Sequence, residues 1–276
     1  MKKSFERAQR RREEGHGYKH DLGQNFLYDD ALLEELVQST GVTKADSVLE
    51  IGPGSGMLTK HLCPHAGKVL AVEVDHDIIP FLKVNTAAFS NLEIVEGDIR
   101  KQNLRELCAP LGENFLVIAN IPYNITTPIF EALWESGLSI RQISVMIQKE
   151  VAEKLIAAPS TAAYGLMSVK CQYYCTPRLE CIVPAEKFTP PPKVDSAFVH
   201  LEMSRCRSTE VQNERRLFSL LRAGFNLRRK TLSNALRSVV EPDALRAAME
   251  QAEISPTARA EELSVDDWIR LSNACP

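Results

Sequence analysis

The sequence predicts an α/β protein, a mostly parallel sheet wound with helices and followed by a small all-helical domain. Three observations predict it. Short apolar runs alternate with segments of helical periodicity from residue 47 to about 203, the pattern of repeated βα units. One of those runs leads directly into a turn with three alternate glycines, Gly52, Gly54 and Gly56. After Arg205 the runs stop, and apolar residues recur at spacings of three and four, as on amphipathic helices.

The first element is a polar arm over residues 1–20, with Lys2, Lys3, Arg7, Arg10, Arg11, Arg12 and Lys19 against Glu6, Glu13 and Glu14. Its composition reads as a solvated tail; Arg10, Arg11 and Arg12 are also candidate phosphate contacts. A large domain follows over 21–205. Leu22-Gly23-Gln24-Asn25-Phe26-Leu27 leads to Asp29 or Asp30 as a helix cap. The helix carries Leu32, Leu33, Leu36 and Val37 on one face.

Ser47–Ile51 is a buried strand, and a helix starts near Met57 beyond the glycines. The glycine spacing differs from the G-x-G-x-x-G of dinucleotide sites, where a helix N-terminus faces a pyrophosphate. Here an acid, Glu50, stands beside the loop. An acid is unsuited to a phosphate ligand and suits a cationic one, such as the amino group and sulfonium of S-adenosylmethionine. The alternative is a tight βα turn with no ligand. The next strand, Lys68–Asp75, ends in acid roughly 20 residues after the first glycine, where such folds bind ribose hydroxyls. A third, Leu92–Glu96, runs into Gly97-Asp98, within reach of an adenine amine.

The strand Phe115–Ala119 ends in Asn120-Ile121-Pro122-Tyr123. That tip offers two acceptors, the Asn120 side chain and the Ile121 carbonyl, for the two hydrogens of an exocyclic amine. Tyr123 supplies a face for stacking, and Pro122 stiffens the bend by fixing φ. The same tetrapeptide can also be an ordinary strand exit. Its weight comes from the glycine loop, Glu73 and Asp98 standing upstream in order.

Ile143–Gln148 is a strand, leading to a helix with Glu150, Lys154 and Leu155. Met167–Tyr174 and Ala197–Leu201 are the late strands. Between them Phe188-Thr189-Pro190-Pro191-Pro192-Lys193-Val194-Asp195 is a stiff extended segment. It holds Phe188 either as a second stacking wall or as part of the core. Helices over 213–224 and 229–240 then form the small domain, 206–276, with the boundary near 204–212. Arg222, Arg228, Arg229, Lys230 and Arg237 make a basic patch there. It is either a solvated face or a contact to RNA phosphates.

Composition sets the frame. The chain has 276 residues, 44% hydrophobic and 25% charged, enough for one large core and one small one. A net charge of −3 gives no overall basic field, so nucleic acid must be met by local patches. Seven cysteines, an odd count, and the lack of an apolar leader point to reduced thiols and a cytoplasmic protein. Cys171, Cys175 and Cys181 lack a C-x-x-C pattern and flanking histidines, so no metal is expected. No stretch is long and apolar enough for a membrane span. Monomer is the default expectation.

Together these residues resemble the small-subunit ribosomal RNA adenine N6-dimethyltransferases. The resemblance rests on Gly23-Gln24-Asn25-Phe26-Leu27, Glu50-Ile51-Gly52-Pro53-Gly54, Glu73-Val74-Asp75, Asn120–Pro128, Gln148–Val151, Ala163-Tyr164-Gly165, Phe188–Ala197, Arg228–Leu232 and Arg259–Ser264. It implies a Rossmann-like class I methyltransferase sheet with a small α-helical C-terminal domain, and S-adenosylmethionine as methyl donor. It places Asn25, Leu27 and Gly52 near the donor's methionine end, Glu73 on its ribose and Asp98 on its adenine. Gln24, Glu50, Gly54, Gly56, Val74, Ile99 and Asn120 complete the implied cofactor site. Asn120, Ile121, Pro122, Tyr123 and Phe188 would hold the target base. The implied substrate is two adjacent adenines near the 3′ end of 16S rRNA in the small ribosomal subunit, coupled to ribosome maturation.

The sequence departs from that family at three points. Ile121 stands where Leu is more usual, Leu22 where Phe is, and His200 where Arg is. Ile121 also resembles the 23S rRNA adenine methylases of macrolide resistance, which remain an alternative. A non-catalytic small-subunit assembly factor and a small-molecule methyltransferase are the others. The basic helices argue against the last.

Overall fold

The computed structural model describes residues 25–204 and 210–276. The described helices and strands begin with β1 (Phe26–Leu27), α1 (Asp30–Ser39), β2 (Ser47–Ile51) and α2 (Thr59–His65). β3 (Lys68–Glu73), α3 (Ile79–Asn85), β4 (Leu92–Glu96), α4 (Leu104–Cys108) and β5 (Phe115–Asn120) continue the alternation. Then come α5 (Thr126–Glu135), β6 (Ile140–Gln148), α6 (Lys149–Ile156), α7 (Leu166–Tyr174) and β7 (Cys175–Val183). After β8 (Phe188–Thr189) and β9 (Ser196–Met203), α8 (Glu214–Asn226), α9 (Leu232–Ala235), α10 (Pro242–Gln251) and α11 (Val265–Ala274) end the chain.

Seven strands form one sheet in the order β4-β3-β2-β5-β6-β9-β7. β2 is parallel to both β3 and β5, and β3 is parallel to β4. Central parallel strands are covered on both faces, so their sequences are continuously apolar. Val48, Leu49, Val69, Leu70, Leu116, Val117 and Ile118 are accordingly buried. β1 and β8 form a separate antiparallel ribbon, with Leu27 opposite Phe188. Asp29 caps α1, its side chain accepting from the Leu32 N–H at 3.2 Å.

The chain divides into two compact units. The first comprises the described residues up to Ile140 with Ser144–Gln148 and Cys181–Phe198. Its core takes Leu33, Leu36, Val37, Leu62, Val69, Ile118, Phe188 and Phe198. The second comprises Arg141–Ile143, Lys149–Glu180 and Val199–Pro276. Its core joins Tyr164, Val169 and Tyr173 to Leu221, Leu232, Leu236, Trp268 and Leu271. Compactness therefore groups 149–180 with the C-terminal helices, a different division from one drawn at residue 206. Among the described residues, no helix is long and apolar enough to cross a membrane.

Two expected elements need correction. Met167–Tyr174 is not a strand but lies in α7. The segment alternates in polarity, which mimics a half-buried strand. Its polar residues, however, are committed to closing α6. The Ser168 hydroxyl donates to the Lys154 carbonyl, and Gln172 donates to the carbonyls of Leu155 and Ala157. Those acceptors are at the C-terminal end of α6, where helical carbonyls lack partners. A helix sets residues four apart on one face only one turn from each other, close enough to reach neighbouring carbonyls, whereas a strand would spread them more than twice as far. The helix expected over 229–240 shrinks to Leu232–Ala235. Leu232 and Leu236 are fully buried one turn apart, and Val239 and Val240 then both donate to the Leu236 carbonyl. The three-residue bond from Val239 tightens the chain into a turn before Pro242 opens α10.

Candidate active site

A cavity of about 330 Å³ opens at the C-terminal ends of β2, β3, β4 and β5. Ligands of open α/β sheets bind at that edge. Its walls come from Asn25, Phe26 and Leu27, the loop after β2, the end of β3, the turn after β4 and the tip of β5.

The glycine loop is shaped by two close approaches. Gly54 has φ +56°, and a Cβ there would lie 2.8 Å from the Phe26 ring. Gly56 has φ +87°, and a Cβ would lie 2.8 Å from Leu82. Both positions need the left-handed backbone that glycine adopts without penalty. Gly54 lines the cavity and Gly56 does not; Gly56 seats the loop against α3 instead. Pro122 packs near Gly52, 3.6 Å from where its Cβ would stand. The glycine loop and the β5 tip are thus adjoining walls of one cavity.

Glu73 is buried at the end of β3 and is gripped by backbone. Gly54 N–H donates to its Oε2 at 2.9 Å and Asp75 N–H to its Oε1 at 2.8 Å. Burial raises its pKa, and those two N–H donors oppose the rise. A carboxylate so held still has lone pairs for hydroxyl donors. Asp98 lines the cavity and is paired with Arg100, whose Nε and Nη2 donate at 2.9 and 2.7 Å. That pairing lowers the Asp98 pKa. Val74, exposed, and Ile99, buried, add apolar surface to the same end of the cavity.

Glu50 is the unusual group. It is 1% exposed, lines the cavity, and neither carboxyl oxygen has a hydrogen-bond partner among the described residues. Burial raises its pKa to about 8, against the nearby Thr59 hydroxyl, which itself makes no hydrogen bond of ordinary geometry among the described residues, and with the charge of Glu73 adding to the rise. An orphaned buried carboxyl is costly unless a ligand completes it. A cationic group in the cavity would do so. The S-adenosylmethionine amino group fits that requirement.

At the tip of β5 the Asn120 amide is oriented by the chain. Its Nδ2 donates to the Asn25 carbonyl at 3.2 Å, so its oxygen is turned the other way. Ile121 is fixed by its N–H, which donates to the Met146 carbonyl at 3.1 Å. Tyr123 is half-buried, and its hydroxyl is 2.6 Å from the Ser196 hydroxyl. Burial raises the Tyr123 pKa against that hydrogen bond, so the phenol stays neutral.

The cavity therefore brings together Asn25, Leu27, Glu50, Gly52, Gly54, Glu73, Val74, Asp98, Ile99, Asn120, Ile121, Pro122 and Tyr123. Phe188 needs correction as a stacking wall. It is 2% exposed, pairs with Leu27 across the β1–β8 ribbon, and belongs to the core rather than the cavity lining. The stiff proline segment anchors it inward. Gln24 and Arg10, Arg11 and Arg12 lie outside the described residues. Arg222, Arg229 and Lys230 are exposed in the second unit. Arg228 is not free: it is ion-paired with Glu261 and donates to the Ala162 carbonyl at 3.1 Å. Sequence reasoning missed Phe26, Met57, Arg100 and Ser196. Phe26 and Ser196 lie inside quoted motifs, so the signal was present without a role attached.

A sequence profile described as ribosomal RNA adenine dimethylase matches residues 15–275. Ribosomal RNA small subunit methyltransferase A of Ligilactobacillus salivarius is 42% identical over 265 residues, covering 93% of this chain and 90% of that protein. Its namesake from Streptococcus sanguinis is 41% identical, covering 95% and 93%. Among solved structures, a dimethyladenosine transferase from Plasmodium falciparum is similar, with TM-score 0.73, 27% identity, and coverage of 89% of this chain and 95% of that one. The 23S rRNA methyltransferase ErmE is also similar, with TM-score 0.69, 25% identity, and coverage of 91% and 99%.

Proposed function

The chain belongs to the ribosomal RNA adenine dimethylase family, and on that footing we propose which of its residues bind, orient and stack. The enzyme is an S-adenosylmethionine-dependent rRNA adenine dimethyltransferase. The finer reading is N6-dimethylation of two adjacent adenines near the 3′ end of 16S rRNA, within the small subunit and coupled to its maturation. Small-subunit relatives at about 40% identity support this over the 23S reading that Ile121 kept open. The observation that carries the assignment of roles is the oriented Asn120 amide, in one cavity with the unpartnered Glu50.

When bound, S-adenosylmethionine supplies an electrophilic methyl group on a sulfonium. Glu50, Asn25, Leu27 and Gly52 hold its methionine end in this reading, with Gly54 beside them. Glu73 takes the ribose, and Asp98, Ile99 and Val74 the adenine. The target base must leave its stack, at a cost of a few kcal/mol. Stacking on Tyr123 returns about 1–3 kcal/mol of it. The Asn120 oxygen and the Ile121 carbonyl accept the two amine hydrogens, which turns the nitrogen lone pair toward the cavity. As positive charge grows on that nitrogen, the same two dipoles and the Tyr123 ring stabilise it. The nitrogen becomes acidic only while it is alkylated, so no side-chain base need act beforehand, and the proton it then sheds passes to water. A second round uses one acceptor, because one N–H remains.

Residues 21–205 carry cofactor and chemistry in this reading. The arm at 1–20 and the region 206–276 meet RNA, and the protein acts as a monomer. The test is transfer of labelled methyl groups to unmethylated 30S subunits, 50S subunits and naked 23S rRNA, followed by digestion to nucleosides. N6,N6-dimethyladenosine from 30S alone is expected. Label in 23S rRNA alone would overturn the substrate assignment.

A further inference from the structure

The turn after α8 reads Leu227-Arg228-Arg229-Lys230, three consecutive cations that look interchangeable as phosphate contacts. The structure does not place them alike. Arg229 and Lys230 are exposed. The Arg228 guanidinium is part-buried, with Nε donating to the Glu261 carboxylate and Nη2 to the Ala162 carbonyl at 3.1 Å. The two segments that supply those partners are tied to each other. Ser160 N–H donates to the Glu261 carbonyl at 2.8 Å, and the buried Tyr164 hydroxyl donates to the Leu263 carbonyl at 2.8 Å. Just beyond the turn, Thr231 bridges to Arg259, and Leu232 N–H donates to the Ala258 carbonyl at 2.8 Å. The turn closes on itself through Lys230 N–H to the Leu227 carbonyl at 2.7 Å.

We infer that Arg228 is a positioning residue: clasped to Glu261 and Ala162, it fixes the 227–230 turn so that Arg229 and Lys230 face RNA phosphates. This rests on the reading that the turn meets RNA. The planar fork of a guanidinium suits the task, since it can serve a carboxylate and a carbonyl at fixed angles while an ammonium cannot. Ordering the turn before contact lowers the entropy lost on binding.

Positioning and direct contact predict opposite signs for one substitution. Glu261 is an acid beside a basic turn. By charge alone, removing it frees Arg228 and strengthens attraction to RNA. If it holds Arg228 in place, removing it weakens binding. The experiment is binding to unmethylated 30S subunits across a salt series, with thermal unfolding of every variant alongside. Arg229→Ala and Lys230→Ala should each weaken binding and reduce the slope of log affinity against log salt by about 1. Glu261→Ala and Arg228→Ala should each weaken binding about three- to tenfold, and the double variant no further, the coupling expected of a contacting pair. Arg228→Lys should behave like Arg228→Ala. The exchanged pair, Arg228→Glu with Glu261→Arg, should not recover affinity, because a carboxylate cannot donate to the Ala162 carbonyl. Arg228→Ala should have no further effect once Arg229 and Lys230 are both alanine. Unchanged or tighter binding by Glu261→Ala, with the Arg229 and Lys230 variants weakened, would overturn the positioning role alone. Normal binding by Arg229→Ala and Lys230→Ala would overturn the RNA-facing turn as well.

Discussion

Replacing Glu50 with glutamine should change how the protein responds to pH in a way that can be worked out beforehand. The folded chain holds the Glu50 proton up to about pH 8, whereas the ordinary value is 4.5. Between those limits the folded form binds one more proton than the unfolded form, so stability falls as pH rises. The stabilisation is complete below about pH 4.5 and gone above about pH 8. At about 1.4 kcal/mol per pH unit the window is worth about 5 kcal/mol at most, since water drawn into the cavity reduces it. A glutamine side chain carries no charge at any pH, so Glu50→Gln should escape this loss. Unfolding of the cofactor-free proteins between about pH 5.5 and 8.5 measures it. The variant should gain on the parent by several degrees in Tm as pH rises. Raised groups that do not feel Glu50 are present in both proteins and cancel, whereas Glu73, whose charge contributes to the Glu50 shift, is part of the difference measured. A cation in the cavity favours the ionised carboxyl, so binding S-adenosylmethionine at about pH 7 should release close to one proton from the parent and none from the variant. Calorimetry in buffers of different ionisation heat reads that number directly. The variant should also bind about tenfold or more weakly at about pH 8, having lost a charged partner. Parallel stability profiles, with no proton released by either protein, would refute the placing of an unpartnered carboxyl in this cavity.

Asn120→Ala should slow single-turnover methyl transfer by about 100-fold or more, the scale of losing one group that acts in the transition state; a near-normal rate would remove Asn120 from the chemistry. Ser196→Ala should lower turnover about two- to tenfold by freeing the Tyr123 ring, a loss of one hydrogen bond. Steady-state rates on 30S subunits unchanged by that substitution would show the contact to be idle. Phe188→Ala should destabilise the protein by about 3–5 kcal/mol in urea unfolding, as for a buried aromatic removed from a core. A stable variant with slow turnover would instead return Phe188 to the target base.

Legibility in the sequence followed burial. Strands β2, β3 and β5 are enclosed on both sides, so their apolar runs stood out and their ends located the glycine loop, Glu73 and Asn120. Asp98 and Glu50 were legible because an acid at a strand end has few structural uses. α7 was misread because Ser168 and Gln172 spend their polarity on the carbonyls of another helix, a demand that local pattern does not carry. Phe188 was assigned to the target base by resemblance, while its own segment left the choice open, since a stiff segment fixes a side chain without saying in which direction. Arg228 was grouped with its neighbours because adjacent cations look alike until Glu261, 33 residues later, is found beside one of them. Long-range pairing decided each of these.

The ribbon of β1 and β8 has a consequence for how the protein is made. Leu27 waits for Phe188, 161 residues further along the chain, before its strand has a partner. At roughly 5–20 residues per second of synthesis, that wait is on the order of 10–30 s. During it the glycine loop and β5 can already be assembled, while the wall built by Asn25, Phe26 and Leu27 has nothing to pair with. A nascent chain stopped short of residue 188 would thus carry most of the donor's contacts and still lack the wall that orients Asn120. The protein becomes competent late in its own translation.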